Sequence, residues 1–280
     1  MIAELIQVFS FPFMLRALIV GTAIAVCSSL LGTTLVLKRY SMIGDGLSHV
    51  AFGAFAISAA LGTAPLATSI PIVVIASFLL LWLNRRSRIR GDAAIAMIST
   101  TALAMGVMIV SLTTGMNTDV RNYLFGSILS MSSEDVVLSL GVAAVVFVLY
   151  VFCYHRLFAV TFDEAFAQSC GLHPEFFNAL LAILTALVVV LGMRMMGVLL
   201  LSSLIVFPPV TAMRICRRFR SVVLCSAVVS VACLWGGLIF SYFYAAPAGA
   251  SIVMCHAVVF IAIWIVQKRS ERNYLGKDRK

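Results

Sequence analysis

Long apolar runs separated by short polar connections make up almost the whole chain. A helix needs about 17 to 25 mostly apolar residues to cross a lipid bilayer. Runs that reach or approach this length lie near residues 14–37, 43–62, 66–83, 93–113, 136–154, 177–193, 196–213, 221–243 and 251–267. The second and third runs, and the sixth and seventh, are separated by only a few residues. The pattern therefore predicts an all-α, polytopic integral membrane protein with eight or nine transmembrane helices in a single domain, residues 1–280.

The composition agrees with a lipid-facing surface. Hydrophobic residues make up 62% of the chain and charged residues 11%, and the mean hydropathy is +1.09, whereas soluble domains carry about 25% charged residues. The net charge of +9 would suggest nucleic-acid binding in a soluble protein. Here the basic residues form short runs between apolar stretches, so we expect membrane lipid as the surrounding medium and no nucleic-acid partner.

The basic runs predict the orientation of the chain in the membrane. They follow alternate crossings, at residues 38–39, 85–90, 155–156, 214–220 and 268–280. The connections 62–65, 114–135 and 245–250 carry a single basic residue, Arg121. Because cytoplasmic loops are enriched in Lys and Arg, nine spans would place the N-terminus outside and the basic tail 268–280 in the cytoplasm.

Two connections have features of their own. Residues 159–176 form a mixed-polarity cytoplasmic segment in which Asp163 and Glu164 suit a helix start, and Gly171 with Pro174 suits its end. We expect a short helix there that docks another protein, or an interfacial helix with no partner. On the external side, the apolar segment Tyr123–Leu129 is too short to cross and is predicted to be interfacial or re-entrant.

Asp45 and His49 are the strongest candidates for chemistry. They lie four residues apart near the start of the second span, so on a helix they share one face. Ionisable residues inside a span usually mark a transport pathway or relay, and a carboxylate with an imidazole suits zinc, manganese or ferrous iron. The structural alternative is that Asp45, six residues beyond Arg39, caps the helix while His49 bonds to a neighbouring helix.

Two ligands from one chain do not make a tight metal site. A homodimer with the second span beside its symmetry mate would bring two Asp and two His side chains together. Gly53, Ala56 and Ala60 continue the face of Asp45 and His49. Since small residues allow transmembrane backbones to pack closely, the pattern predicts that two copies of this span approach each other.

Other polar and conformational features give weaker signals. Pro208 and Pro209 interrupt the backbone hydrogen bonds of the seventh span and are a candidate hinge, or a kink without a transport role. His256 follows Cys255 directly, and we interpret it as a structural histidine. The sequence has no ATP-binding loop motif and no hydrolase motif. We therefore expect a transport subunit that is not an enzyme, without catalytic residues or a permanently bound cofactor.

Four stretches of the chain carry a family pattern. They are Leu35–Ala51 (LVLKRYSMIGDGLSHVA), Phe162–Ala167 with Gly171 and Leu172, Gly197–Pro208, and Ala246–Val253. Together, and in this order, they resemble the permeases of zinc, manganese and iron ABC importers. The resemblance covers nearly the whole chain.

The resemblance implies a set of partners and roles. The permease would be a homodimer in the bacterial cytoplasmic membrane, with two cytoplasmic ABC ATPase subunits and an extracellular or periplasmic metal-binding protein. Metal ligands would lie on the helix that holds Asp45 and His49. The segment that couples to the ATPase would contain Asp163, Glu164, Phe166, Ala167 and Gly171.

The resemblance also bears on which metal is carried. Ile43–His49 and the external Tyr123–Ser127 look closer to the zinc permeases of the family than to the manganese ones. Gly46 and Pro209 stand where many relatives have Ala, and neither is a proposed ligand. We predict ATP-driven zinc import, with manganese or iron import by the same kind of permease as the alternative. A secondary metal transporter or channel, and a permease for chelated iron, are the rival interpretations.

Overall fold

The computed structural model describes residues 12–86, 91–113 and 133–277. Across these ranges the chain forms ten α-helices and no strand, and nine of the helices are long and apolar enough to cross a membrane. The all-α prediction and the higher of the two predicted span counts are confirmed. The predicted external segment Tyr123–Leu129 lies outside the described residues.

The helices follow one another with short connections. They are α1 (Pro12–Leu37), α2 (Ser41–Leu61), α3 (Pro65–Arg86), α4 (Gly91–Thr113), α5 (Ser133–Phe162), α6 (Glu164–Ser169), α7 (Pro174–Met196), α8 (Val198–Ile215), α9 (Phe219–Tyr244) and α10 (Ala248–Lys277). The short helix is α6, within the segment where the sequence predicts one.

Helix α5 is about two turns longer than its apolar run. The run ends near residue 154, but the helix continues to Phe162. Aromatic packing accounts for the extension, since the Phe219 ring at the start of α9 lies 5.1 Å from Phe158 and 5.9 Å from Phe162. A helix that is packed against another helix does not need lipid to remain folded.

Contacts between helices show their directions. Helices α1 and α5 run side by side in the same direction: Cys27 Sγ donates to Ala143 O over 3.3 Å, and the hydroxyls of Thr34 and Tyr150 lie 3.1 Å apart. The shared direction of α1 and α5 agrees with the alternation that the basic runs predict. One end of the bundle, here called the basic end, contains the turn Lys38–Tyr40, helix α6 and the connection Cys216–Arg218.

Helix α2 lies in the centre and contacts α1, α3, α4, α7 and α8. Its small residues allow the neighbours to approach: a Cβ atom on Gly53 would lie 2.8 Å from the carbonyl oxygen of Ala102 in α4. Gly53 and Ala56 are buried within the chain. The prediction that these two residues admit a second copy of α2 is therefore wrong, because α4 of the same chain occupies that face.

A single residue, Gly197, joins α7 to α8. Its backbone dihedrals, φ 83° and ψ 164°, fall in a region that is essentially restricted to glycine. The two helices fold back closely around this joint, since a Cβ atom on Gly192 would lie 2.5 Å from Leu201 Cδ1. The joint fixes where α8 begins and hence where its first turns lie.

Among the described glycines, the closest approach to a backbone atom is between α1 and α8. A Cβ atom on Gly32 would lie 2.1 Å from the carbonyl oxygen of Ile205. Because backbone atoms cannot move aside as a side-chain tip can, Gly32→Ala should push α8 away from α1. Overpacking of this kind costs about 1 to 3 kcal/mol, and we expect a lower midpoint of thermal unfolding for the purified protein in detergent.

Gly141→Ala is the matched control for this prediction. Gly141 is also helical, but a Cβ atom there meets nothing within 4 Å. Its unfolding midpoint should equal or slightly exceed that of the parent, because alanine favours a helix over glycine. Equal midpoints for the two variants would contradict the close packing of α1 on α8.

Candidate metal site

Asp45 and His49 lie in the first turns of α2, near the basic end. They are the fifth and ninth residues of the helix, and His49 Nε2 is 3.7 Å from Asp45 Oδ2. Their side chains are 21% (His49) and 41% (Asp45) exposed. The distance is too long for a hydrogen bond, so the two groups face each other without being locked together.

Ser202 of α8 completes the surroundings of the carboxylate. Its hydroxyl lies 2.8 Å from Asp45 Oδ1 and 3.1 Å from Val198 O of its own helix. Donation to the carboxylate, the shorter contact, leaves Oδ2 facing His49. Sequence reasoning did not identify Ser202, because the contact joins residues 157 positions apart. The available signal was indirect: Ser202 lies within the family-like stretch Gly197–Pro208.

The separation of the pair suits two ligands of one ion. Two donor atoms about 2.0–2.2 Å from a shared ion stand about 3.3–3.6 Å apart at a tetrahedral angle. The observed 3.7 Å between His49 Nε2 and Asp45 Oδ2 needs only a small side-chain rotation to reach that range. The geometry can therefore accommodate a divalent transition metal between the two side chains.

The structural alternative for these residues finds no support. Helix α2 is preceded by Tyr40 at its N-cap position, without a side-chain capping bond, and Asp45 lies inside the helix. His49 Nδ1 is buried and has no hydrogen-bond partner among the described residues. Neither the cap nor the bond to a neighbouring helix is present. An unanchored imidazole also differs from tight resident metal sites, where a second hydrogen bond usually fixes the ring.

One chain supplies an incomplete ligand set. In residues 12–86, 91–113 and 133–277, no group of three or more His, Cys, Asp or Glu side chains could hold a metal ion. The site is nevertheless open on one side. A stripe of exposed or partly exposed residues runs along α8 through Ser202, at Leu199, Ser202, Val206, Val210 and Met213. Ligands from outside the chain could therefore reach Asp45 and His49.

The residues predicted to couple to an ATPase lie on and around α6. Asp163 accepts a hydrogen bond from Phe166 N over 2.9 Å and caps the helix, and Ala167 is fully buried beneath it. Gly171 ends the segment at a φ of 80°. Phe166 is 62% exposed. The predicted segment thus has a buried, hydrogen-bonded base and an aromatic side chain on its outer face.

The side chain of Glu164 in α6 is partly exposed and also contacts two residues of the bundle. Its Oε1 accepts from Lys38 Nζ over 2.9 Å and from Asn178 Nδ2 over 3.0 Å. Lys38 Nζ also donates to Asn178 Oδ1. Sequence reasoning placed Lys38 in a basic run and in the family-like stretch Leu35–Ala51, without a role of its own, and did not identify Asn178.

The remaining candidates lie elsewhere. Helix α8 continues without interruption through Pro208 and Pro209, which are both buried, so the break in this region is at Gly197; a hinge at the prolines stays a prediction. His256 is 1% exposed and its Nδ1 donates to Ile252 O over 2.9 Å, in agreement with a structural histidine. All seven cysteines are free.

Comparison with known families identifies the chain. Residues 10–267 match the ABC 3 transport family. The chain belongs to this family. Its resemblance to the zinc, manganese and iron permeases, stated above from four sequence stretches, is confirmed.

Individual relatives match most of the chain in sequence, and one solved structure matches it in fold. The manganese import permease ScaB of Streptococcus gordonii is 30% identical over 100% of both chains. The zinc uptake membrane protein ZnuB of Haemophilus influenzae is 31% identical over 90% of this chain and 96% of its own. In the solved structure of PsaBC from Streptococcus pneumoniae with a Fab, one chain is 28% identical, covers 94% of this chain and 95% of its own, and has a TM-score of 0.85.

The family places this protein among the permeases of metal-type ABC importers. Relatives of nearly equal identity are named for manganese and for zinc, and another is named for iron transport, so the comparisons leave the metal undetermined. Interpretation as a secondary transporter or channel is not supported by this membership.

If the site binds the transported ion, Ser202 acts through Asp45, because it orients the carboxylate. We expect Ser202→Ala to raise the metal concentration needed for half-maximal uptake by about tenfold, a typical effect of losing a group that orients a ligand. Uptake into proteoliposomes at varied metal concentration would measure this effect.

Ser203→Ala provides the control for this prediction. Ser203 is the next residue of α8 and is buried, but its hydroxyl donates to Leu200 O of its own helix over 2.7 Å. This variant should keep the parent's concentration dependence. An unchanged value for Ser202→Ala would show that the hydrogen bond to Asp45 has no role in handling the ion.

Proposed function

We propose that this chain is the membrane-spanning subunit of a zinc importer and that Asp45 and His49 bind the ion in transit. The observation that carries the proposal is the pair itself: a carboxylate and an imidazole 3.7 Å apart, oriented by Ser202 and open to one side of the chain. An ionisable pair within a membrane span costs free energy, and such pairs usually mark a transport pathway or a relay.

The rest of the ligand set would come from a second copy of the chain. Structural zinc sites have four ligands, and one chain offers two. A homodimer in which the open face of α2 and the exposed stripe of α8 meet their symmetry mates would bring two Asp and two His side chains to one pathway. The contact would use Asp45, His49 and Ser202 rather than the buried Gly53 and Ala56.

Binding must be transient for transport to proceed. His49 Nδ1 has no hydrogen-bond partner among the described residues. His49 Nε2 and Asp45 Oδ2 are too far apart, at 3.7 Å, to bond to each other. Both features favour an ion that is held briefly and released. The ion is therefore a substrate, and the proposed importer has no permanently bound cofactor.

Zinc is proposed over manganese on the chemistry of the pair. Imidazole is a preferred zinc ligand, whereas manganese more often takes carboxylate, carbonyl and water oxygens. The variant sequence around the pair, Ile43–His49, agrees with this choice. Manganese or iron import by the same permease remains the alternative, and competition between metals distinguishes them.

Helix α6 is proposed as the docking point of separate ATPase subunits. Beside it lies an open cleft of about 470 Å³ lined by Glu164, Ala165, Gln168, His173, Pro174 and Glu175. Two carboxylates in this cleft suit a basic partner surface, and the exposed Phe166 offers an aromatic anchor. In this proposal the basic end and the C-terminus are cytoplasmic, the N-terminus is outside, and a metal-binding protein delivers the ion from the external side of a bacterial cytoplasmic membrane.

Uptake in proteoliposomes tests the proposal. Vesicles that contain the permease, its ATPase and its binding protein should take up zinc in preference to manganese supplied at equal concentration, and only with ATP. Asp45→Ala and His49→Ala should each reduce uptake to background, because each removes one of the two ligands. Gel filtration in detergent should show that both variants keep the parent's assembly.

His155→Ala is the control for the loss of a histidine. His155 is exposed near the end of α5 and contacts Arg220, so its removal should leave uptake unchanged. Manganese-dominated uptake would contradict zinc as the substrate. Uptake that persists in His49→Ala, or that needs no ATP, would contradict the proposed mechanism. Loss of assembly in both Asp45→Ala and His49→Ala would instead assign the pair a structural role.

A further inference from the structure

A polar triad, two of whose side chains are buried, connects α6 to the helix that carries Asp45 and His49. Lys38, Glu164 and Asn178 come from the α1–α2 turn, from α6 and from α7. Lys38 Nζ donates to Glu164 Oε1 over 2.9 Å and also to Asn178 Oδ1, and Asn178 Nδ2 donates to Glu164 Oε1 over 3.0 Å. Each side chain contacts the other two, so the three segments are joined at one point.

The burial of the triad makes its contacts costly to lose. The side chain of Lys38 is 5% exposed and Asn178 is 2% exposed, while Glu164 remains 47% exposed. A buried ammonium group without a paired anion is strongly unfavourable, so the lysine depends on the carboxylate. If Glu164 moves together with α6, its contact with Lys38 carries the movement to the α1–α2 turn.

The turn after Lys38 transmits such a movement to α2. Its backbone is closely hydrogen-bonded: Lys38 N donates to Thr34 O, Tyr40 N donates to Leu35 O over 2.8 Å, and Ile43 N donates to Tyr40 O. Arg39 adopts a left-handed backbone with φ 61°, which is unusual for a residue with a side chain. Because the turn is short and closely hydrogen-bonded, Lys38 cannot move far without moving the start of α2 at Ser41.

Asp45 lies close to this connection. It follows Lys38 by seven residues and is the fifth residue of α2, so only about one helical turn separates it from the start of the helix. A shift of the turn would move the start of α2 and, with it, Asp45. Ser202 lies on α8, which is joined to α7, so the distance between Asp45 and Ser202 would change.

We propose that Lys38 is a positioning residue that couples α6 to the metal site: through its contacts with Glu164 and Asn178 it transmits the movement of α6 to Asp45 and His49. This inference rests on the proposed function and adds to it the side chain that links ATP-driven movement to the ligands. Without Lys38, the ATPase subunits hydrolyse ATP while the metal site fails to respond.

The ratio of metal taken up to ATP hydrolysed tests the inference. Both quantities are measured in the same proteoliposomes, with permease, ATPase and binding protein, using whichever of zinc and manganese the parent transports. Lys38→Met keeps the length of the side chain and removes its charge. We expect ATP hydrolysis within about twofold of the parent and a ratio lowered by about tenfold, within the range of coupling between sites.

Arg39→Met is the matched control, since it removes a positive charge from the adjacent position of the same turn. Arg39 is exposed, so this variant should keep the parent's ratio. Lys38→Arg retains the charge and should recover most of the ratio. A Lys38→Met ratio equal to the parent's, or an equal loss of ratio in Arg39→Met, would overturn the inference.

A second variant covers the case in which Lys38→Met fails to assemble with the ATPase. Glu164→Gln keeps the shape of the side chain and its acceptor oxygen but removes the charge that Lys38 depends on. Co-purification of the ATPase checks its assembly, and its ratio should also fall. An unchanged ratio would overturn the inference. Absence of ATP-dependent uptake by the parent would instead overturn the proposed function, and the inference with it.

Discussion

Close approach of helix backbones, at positions where only a small residue fits, holds the centre of this protein together. Between helices in lipid the hydrophobic effect offers little attraction, so packing and interhelical hydrogen bonds must stabilise the bundle. Gly32 against Ile205 and Gly53 against Ala102 are the points of contact. The first holds α8 against α1 and the second holds α4 against α2, and most of α2 is buried. Its first turns, where Asp45 and His49 lie, keep an open side, and its last turn, Ala59–Leu61, is exposed as well.

Charged groups near the basic end are placed by partners from other helices. Asp45 faces Ser202 of α8, and Lys38 contacts Glu164 of α6 and Asn178 of α7. An ionised group that leaves water needs such partners, because unpaired burial is strongly unfavourable. These polar contacts therefore do more than stabilise the bundle. They make the position of α2 depend on α6, α7 and α8, which belong to later parts of the chain.

The sequence predicts the elements of this fold better than their contacts. Lipid requires a run of apolar residues for each span, so the hydropathy pattern locates the helices, and the turn-forming residues around 163–174 locate α6. The last turns of α5, where Phe158 packs on the Phe219 ring, were missed because the apolar run was ended at residue 154. Small residues indicate close packing but not the partner, so Gly53 and Ala56 suggested a second chain where α4 is the neighbour. The pair Asp45 and His49 was found from its spacing within one helix, whereas Ser202 and Asn178 join distant parts of the chain.

The single-residue joint at Gly197 completes a closed ring of connected helices, formed by α6, α7, α8 and α2. Asn178 near the start of α7 contacts Glu164, and Ser202 in the first turns of α8 contacts Asp45. Helices α7 and α8 fold back on each other around this joint. The path from α6 through α7, Gly197 and α8 thus meets the path from α6 through Lys38 and α2 at the carboxylate of Asp45. Because both paths end at Asp45, neither can change its position without the other. Such a connection favours two discrete arrangements of the helices over gradual deformation.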